Sequence, residues 1–293
     1  MRRRLLVAIA SVLLLTAALA ALFQYQDPVV RGLLRYAAWR KFSPDAGTKN
    51  YADVNGVRLY YEDHGSGMPV LVLHGGSGFV EMMGGQIPAL AKGHRVIAVD
   101  SRGHGRSTDG PPPLRYETMA DDMTALLDSL GIDHYDVVGW SDGGNIGLAL
   151  AMAQPERVER VVAIGANARP DGVLDEVQEE LEEEPDESEE LPEMRPLDSL
   201  VMPDNAHLPV LLGELRELWR TQPQWSDAEL GRIRARTLLL VGESDVIKPE
   251  HTRAIAAAIP DAQVETIAGA THGLPLERPN LVAARIIEFL DAP

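Results

Sequence analysis

The chain contains no cysteine among its 293 residues. Disulfide scaffolds, thiolate zinc sites, iron–sulfur clusters, a cysteine nucleophile and a lipidated N-terminal cysteine are therefore excluded. Basic residues are few: 27 Lys and Arg face 44 Asp and Glu, for a formal net charge of −17. A surface that acidic repels polyanions, so nucleic acid is not an expected partner. No His-Glu-x-x-His or comparable metal spacing occurs, which disfavours metal-dependent hydrolysis. Gly-Lys-Ser/Thr and Gly-x-Gly-x-x-Gly are also missing, so the glycine-rich turns do not read as phosphate cradles. No internal repeat is present. What remains, 45% hydrophobic and 24% charged residues, is an ordinary globular composition.

Arg2, Arg3 and Arg4 open the chain, and Leu5–Phe23 then run 19 residues without a charge. That length can cross a bilayer. A basic start, an apolar core and the Ala18-Leu19-Ala20 end equally fit a cleavable signal peptide. Residues 1–23 are thus expected to be a transmembrane anchor or a signal peptide. Either one implies export, with the body membrane-anchored outside the cytoplasm, or secreted or periplasmic after cleavage. Residues 24–50 read as a connector. Farther on, 11 of the 16 positions from Asp175 to Glu190 are Asp or Glu and none is basic, which reads as a solvated block.

From Val57 onward, short apolar runs alternate with amphipathic stretches. That rhythm predicts an α/β fold, a mostly parallel sheet with helices on both faces. Strands are expected at Arg58–Glu62, Val70–Leu73, Arg95–Val99, Tyr135–Gly139, Val158–Ile164, Thr237–Val241 and Gln263–Ile267. Helical spacing marks Met119–Leu130 and Asn145–Met152. It also marks Leu281–Leu290, with Leu281, Ala284, Ile287, Phe289 and Leu290 on one broad face. The rhythm stops near Ala168 and restarts near Arg236. The domain reading is therefore a core of 51–168 and 236–293, with 169–235 inserted above the sheet as a lid or cap.

Gly139-Trp140-Ser141-Asp142-Gly143-Gly144 follows the Tyr135–Gly139 strand directly and precedes a helix pattern. A serine in a sharp strand-to-helix turn has its hydroxyl thrust out, and flanking glycines remove side chains that would clash. The helix N-terminus behind it stabilises developing negative charge. A serine nucleophile needs a base, and that imidazole needs a partner to fix its tautomer. His272, in a small-residue loop after the last expected strand, and Asp245, directly after Thr237–Val241, fill those roles in the order Ser…Asp…His. All three fall at carboxyl ends of strands, where open α/β sheets bind ligands. Rival acids are Asp100, Asp171 and Glu243. Oxyanion donors are expected from the backbone amides of Asp142 and Gly76, with Ser77 as the neighbouring alternative. His74 and His104 read as loop organisers; His64, His94, His134, His207 and His251 read as surface or loop residues. Trp219 and Trp225, in the insertion, are candidate substrate-pocket walls, and Trp140 beside the nucleophile is a candidate substrate contact.

With these motifs in order, the chain resembles α/β-hydrolase-fold serine hydrolases. The matching segments are His74-Gly75-Gly76, Asp100-Ser101-Arg102-Gly103-His104-Gly105-Arg106-Ser107, the Ser141 turn, Asp245 and His272, over roughly Asn50 to Ala292. The Ser141-Asp142 pair and Gly165-Ala166-Asn167-Ala168 further resemble valacyclovir-hydrolase-like (biphenyl-hydrolase-like) esterases. In that group the acidic residue beside the nucleophile is taken to recognise a substrate amino group. The equivalent here is Asp142, whose alternative role is to cap the helix N-terminus. Proline iminopeptidases carry a proline where this chain has Ser77. Epoxide hydrolases and haloalkane dehalogenases use aspartate where this chain has Ser141. The resemblance implies hydrolysis of small-molecule carboxylic esters through an acyl-enzyme, without a cofactor or metal. Carbon–carbon bond hydrolysis, thioester hydrolysis and perhydrolysis use the same residues; the non-hydrolytic alternatives are a ligand receptor on the same fold and a membrane-bound interaction protein working through its acidic run.

Overall fold

The computed structural model describes residues 28–111, 113–183, 201 and 207–293. Eight strands form one sheet in the order β1-β2-β4-β3-β5-β6-β7-β8. β1 (Thr48–Val54), β2 (Val57–Gly65) and β4 (His94–Val99) pair antiparallel. β3 (Met68–Leu73), β5 (Tyr135–Trp140), β6 (Val158–Ile164), β7 (Arg236–Ser244) and β8 (Ala262–Thr271) continue it in parallel from β4.

The central strands are buried on both faces, as parallel strands covered by helices must be. In β3, Leu71 and Leu73 join one core cluster while Val70 and Val72 join the other. The first cluster lies under α2 (Tyr116–Ser129) and α3 (Asp142–Ala153), through residues such as Met123, Leu127 and Ile146. The second lies under α1 (Pro28–Phe42) and the closing helix, Pro279–Asp291. The buried face of that closing helix is Val282, Ile286, Phe289 and Leu290, and Leu281 is exposed. The apolar stripe is thus rotated by about one residue from the expected one, because the 282/286/289 spacing follows the helical period.

The 24–50 stretch carries α1 and the start of β1. Asn55-Gly56, both at positive φ, make the tight turn between β1 and β2. α1 docks through a buried polar hub centred on Glu62, which is fully buried. Tyr36 donates its hydroxyl to Glu62 at 2.5 Å, Tyr60 donates to the other oxygen, and Arg40 forms an ion pair at 3.1 Å. His64 accepts from the Gly47 amide at Nδ1 (2.8 Å), so its Nε2–H faces Glu62 at 2.9 Å. Burial raises the Glu62 carboxyl, but the bonds from His64, Tyr36 and Tyr60 and the Arg40 charge outweigh it and bring it down to about 2. His64, His94 and His251, expected at the surface or in loops, are buried instead, because each fills a gap between elements with a bonded or ion-paired nitrogen.

The expected export, membrane-anchored or secreted, is corrected: among the described residues no helix is long and apolar enough to cross a membrane. α1 has 15 residues and carries Arg31, Arg35, Arg40 and Lys41. At about 1.5 Å per residue it falls well short of a hydrocarbon core about 30 Å thick. Residues 1–23, read as an anchor or signal peptide, lie outside the described residues.

Candidate active site

Ser141 stands between β5 and α3 with φ 54° and ψ −118°, a conformation that costs a non-glycine residue strain. Its neighbours explain the glycines: a Cβ on Gly139 would lie 2.0 Å from the Gly143 carbonyl oxygen, and one on Gly143 2.5 Å from that of Leu73. The turn is pinned by Ser141 N–H donating to Ile164 O at 2.7 Å and Asn145 N–H to Ser141 O at 3.0 Å.

His272 follows β8 and places Nε2 2.9 Å from Ser141 Oγ. Its Nδ1 lies 2.7 Å from Asp245 Oδ1. Asp245 in turn accepts from the Ile247 amide at 3.1 Å and the Gly242 amide at 3.4 Å. Ser141, more than a hundred positions before the other two, thus joins them in one hydrogen-bonded chain. Its geometry suits an imidazole taking the serine proton while the carboxylate holds the Nδ1–H tautomer. Gly165 leaves room for the imidazole, since a Cβ there would fall 2.9 Å from its Cε1 and Nδ1.

Of the rival acids, Glu243 is engaged by the Gly269 amide at 2.8 Å, and Asp171 lies 3.6 Å from Arg169. Asp100 is fully buried and accepts from the Val80 amide at 2.7 Å and the Arg106 amide at 2.9 Å. Burial lifts its carboxyl to about 7 despite Arg106. It braces the loop after β3 against the loop after β4. His74 does the same, donating from Nδ1 to Gly75 O (2.7 Å) and accepting from the Ser101 amide (3.0 Å); burial and nearby His104 lower it to about 3. The Gly75-Gly76 backbone is thereby fixed beside Ser141.

These residues open onto a cavity of about 950 Å³. Ser141, Asp142 and His272 line it, together with Val173, Val177 and Leu181 before the undescribed segment, and Arg216, Trp219 and Gln222 after it. The latter groups belong to α4 (Asp175–Glu182), α5 (Leu208–Thr221) and their flanks, all between β6 and β7. Arg216 donates to the Glu180 and Glu183 carbonyls, tying α5 to α4. The second half of the acidic run, 184–190, lies outside the described residues.

The tryptophans separate. Trp219 lines the cavity. Trp140 lies outside that lining and donates its indole N–H to His272 O at 2.8 Å, steadying the loop from behind. Trp225 is buried in the core beneath, donating to Glu117 Oε1 at 3.0 Å and packing 6.1 Å from the Tyr116 ring. Tyr116 itself was not legible in the sequence: it donates to Asp142 Oδ1 at 2.8 Å from the start of α2, the helix before β5. Burial raises the Asp142 carboxyl, partly opposed by bonds from Trp219 and Tyr116 and by His272. Another unforeseen residue, Glu277, accepts from the Thr271 amide and hydroxyl at 3.0 and 2.5 Å and so clamps the residue before His272. No group of three or more candidate metal ligands occurs among the described residues.

Comparison with known proteins gives concordant findings. Residues 68–203 match the family described as the alpha/beta hydrolase fold. A 2-hydroxymuconate semialdehyde hydrolase from Pseudomonas sp. (strain CF600) is 30% identical over 275 residues, 85% of this chain and 95% of that protein. A protein of Azorhizobium caulinodans named for carbamate hydrolysis is 42% identical over 124 residues, but the match spans 42% of this chain and 47% of the relative. Among solved structures, a thermophilic esterase from Thermogutta terrifontis superposes with a TM-score of 0.66 at 28% identity, covering 83% of this chain and 98% of that one.

Proposed function

The chain belongs to the α/β-hydrolase fold family and is a hydrolase, and from that premise we propose that it cleaves carboxylic esters of small molecules through an acyl-enzyme. The observation that carries this reading is the Ser141–His272–Asp245 hydrogen-bonded chain at 2.9 and 2.7 Å, opening onto the cavity. Ser141 Oγ attacks the ester carbonyl as His272 Nε2 takes its proton, and Asp245 holds the imidazole and stabilises the imidazolium. The backbone amides of Gly76 and Asp142 receive the oxyanion. His272 returns the proton to the leaving alcohol, then activates water to release the acid. The described residues of the insertion act as the cap, contributing the α4 and α5 side of the cavity.

Asp142 suggests a substrate feature. Its carboxylate lines the cavity, and its hydrogen-bond partners, Tyr116 and Trp219, are neutral. A carboxylate offers about four acceptor sites, and two donors reach it here: the Tyr116 hydroxyl and the single Trp219 indole N–H, which is shared between its two oxygens. The ammonium of an amino-acid ester fits the acceptor capacity that remains. A second reading, carbon–carbon bond hydrolysis of a dienone-type substrate with the same residues, has in its favour the full-length similarity to the 2-hydroxymuconate semialdehyde hydrolase.

The test compares wild type with Ser141→Ala on p-nitrophenyl esters with and without an α-amino group, and on a dienone substrate. Ester turnover lost in the variant is expected, with lower KM for amino esters. Turnover of the dienone alone would replace the ester reading with the second one.

A further inference from the structure

Asp142 is 6% exposed and lines the cavity, yet among the described residues no Lys or Arg pairs with its carboxylate. Its donors are neutral, the Tyr116 hydroxyl at 2.8 Å and the Trp219 indole N–H at 3.0 Å. Besides His272, the one basic side chain among the described lining residues is Arg216, which donates to the Glu180 and Glu183 carbonyls. A carboxylate taken out of water without a counter-ion is costly to keep charged. Burial accordingly raises this one, while bonds from Trp219 and Tyr116 and, to a lesser degree, nearby His272 oppose the rise.

Its position gives that charge a consequence. A Cβ built on Gly76 would fall 2.5 Å from Asp142 Oδ2, so this oxygen lies against the residue whose amide is assigned to the oxyanion. The other assigned amide is that of Asp142 itself. When Ser141 attacks, negative charge develops beside a group that is negative whenever it is ionised. Like charges a few ångströms apart in a poorly solvated site repel strongly enough to slow a reaction about tenfold or more. The imidazolium forming at His272 gains from the same carboxylate. Its weaker hold on Asp142 marks it as the more remote charge, so the oxyanion is affected more.

We propose that Asp142 is an electrostatic gate on turnover: its carboxylate opposes the oxyanion of a neutral ester and stops doing so when the substrate's own ammonium pairs with it. This inference rests on the ester reading and its ammonium site, and adds how that site is regulated. The ammonium of an α-amino ester stands two bonds from the carbonyl carbon, within reach of a carboxylate on the oxyanion side. An interaction that relieves repulsion only as the oxyanion forms acts on kcat, beyond any gain in KM. Neutral esters therefore enter the same cavity and turn over slowly.

The test compares wild type with Asp142→Asn on two p-nitrophenyl esters of similar shape, the propionate and the alaninate. The pH is held at about 6, below the ordinary α-amino range of about 7.7–8.0, so that the alaninate carries its charge. Asn keeps the side-chain shape and an acceptor for Trp219. The variant is expected to raise kcat on the propionate about tenfold and to lower kcat/KM on the alaninate at least tenfold. Loss of packing alone would lower both. Circular dichroism checks that the variant folds, and Asp142→Ala replaces it if it does not. A folded variant whose propionate kcat does not rise overturns the gate, and the ammonium site still stands if the alaninate alone has slowed. A propionate gain with the alaninate unaffected also overturns it, because the substrate then does no pairing. A wild type inactive on both esters overturns the ester reading and the gate together.

Discussion

Replacing Glu62 by Gln tests whether α1 is held by a buried charge. Gln keeps the shape of the side chain but presents an amide to Tyr36, Tyr60, His64 and Arg40, all of which point donors at this position. The native carboxyl lies at about 2, against an ordinary value of 4.5. A gap of that size corresponds to about 3 kcal/mol of preference for the ionised form, at about 1.4 kcal/mol per unit. Since the folded value is depressed, this stability is present above about 4.5 and is lost as pH falls through about 2. Urea denaturation should therefore find Glu62→Gln less stable than wild type by about 3 kcal/mol at neutral pH. The difference should shrink steadily as pH drops below 4.5. Limited proteolysis at neutral pH should cut the variant first within α1. A loss below about 1 kcal/mol, or one that does not change with pH, would refute the reasoning, because an exposed or weakly held pair behaves that way.

Three further outcomes follow from the same geometry. Asp136 is buried with one oxygen lacking a hydrogen-bond partner, and burial lifts its carboxyl to about 7 despite Arg160. The folded state holds a proton there that the unfolded state has released, so Asp136→Asn should stabilise the protein above pH 7 and leave it unchanged near pH 4, as read by melting temperature. Gly165→Ala puts a methyl 2.9 Å from the His272 ring at a φ of +60°; kcat should fall about 100-fold, as for a misplaced catalytic group, with folding intact by circular dichroism. Asp245→Asn should cost about 10⁴ in kcat by freeing the wrong His272 tautomer, while leaving KM within a few-fold.

The sheet was legible where strands are buried on both faces. β3, β5 and β6 read as β-branched apolar runs, and the glycine spacing around Ser141 announced the turn because only glycine fits beside Leu73 O and Gly143 O. β1 was not legible, since its exposed, polar pattern offers no apolar face. α1 escaped because its docking depends on Tyr36 and Arg40 meeting Glu62, a contact between segments that no local periodicity encodes. The same holds within the site. The order of Ser141, Asp245 and His272 could be read from motifs, whereas Trp140 and Trp225 could not be told from Trp219, because which face an indole presents is decided by tertiary packing. Buried His64 and His251 looked like loop residues because each accepts from an amide distant in sequence, that of Gly47 and that of Ala168 respectively.

The central claim is that Ser141 is the nucleophile. Labelling the folded protein with a fluorophosphonate probe and mapping the adduct by peptide mass spectrometry tests it most directly. The account requires a single phosphonylated site on the peptide containing Ser141, slowed strongly in His272→Ala and absent in Ser141→Ala. Labelling that persists in a folded Ser141→Ala protein, or a folded wild type that is not labelled, would contradict it.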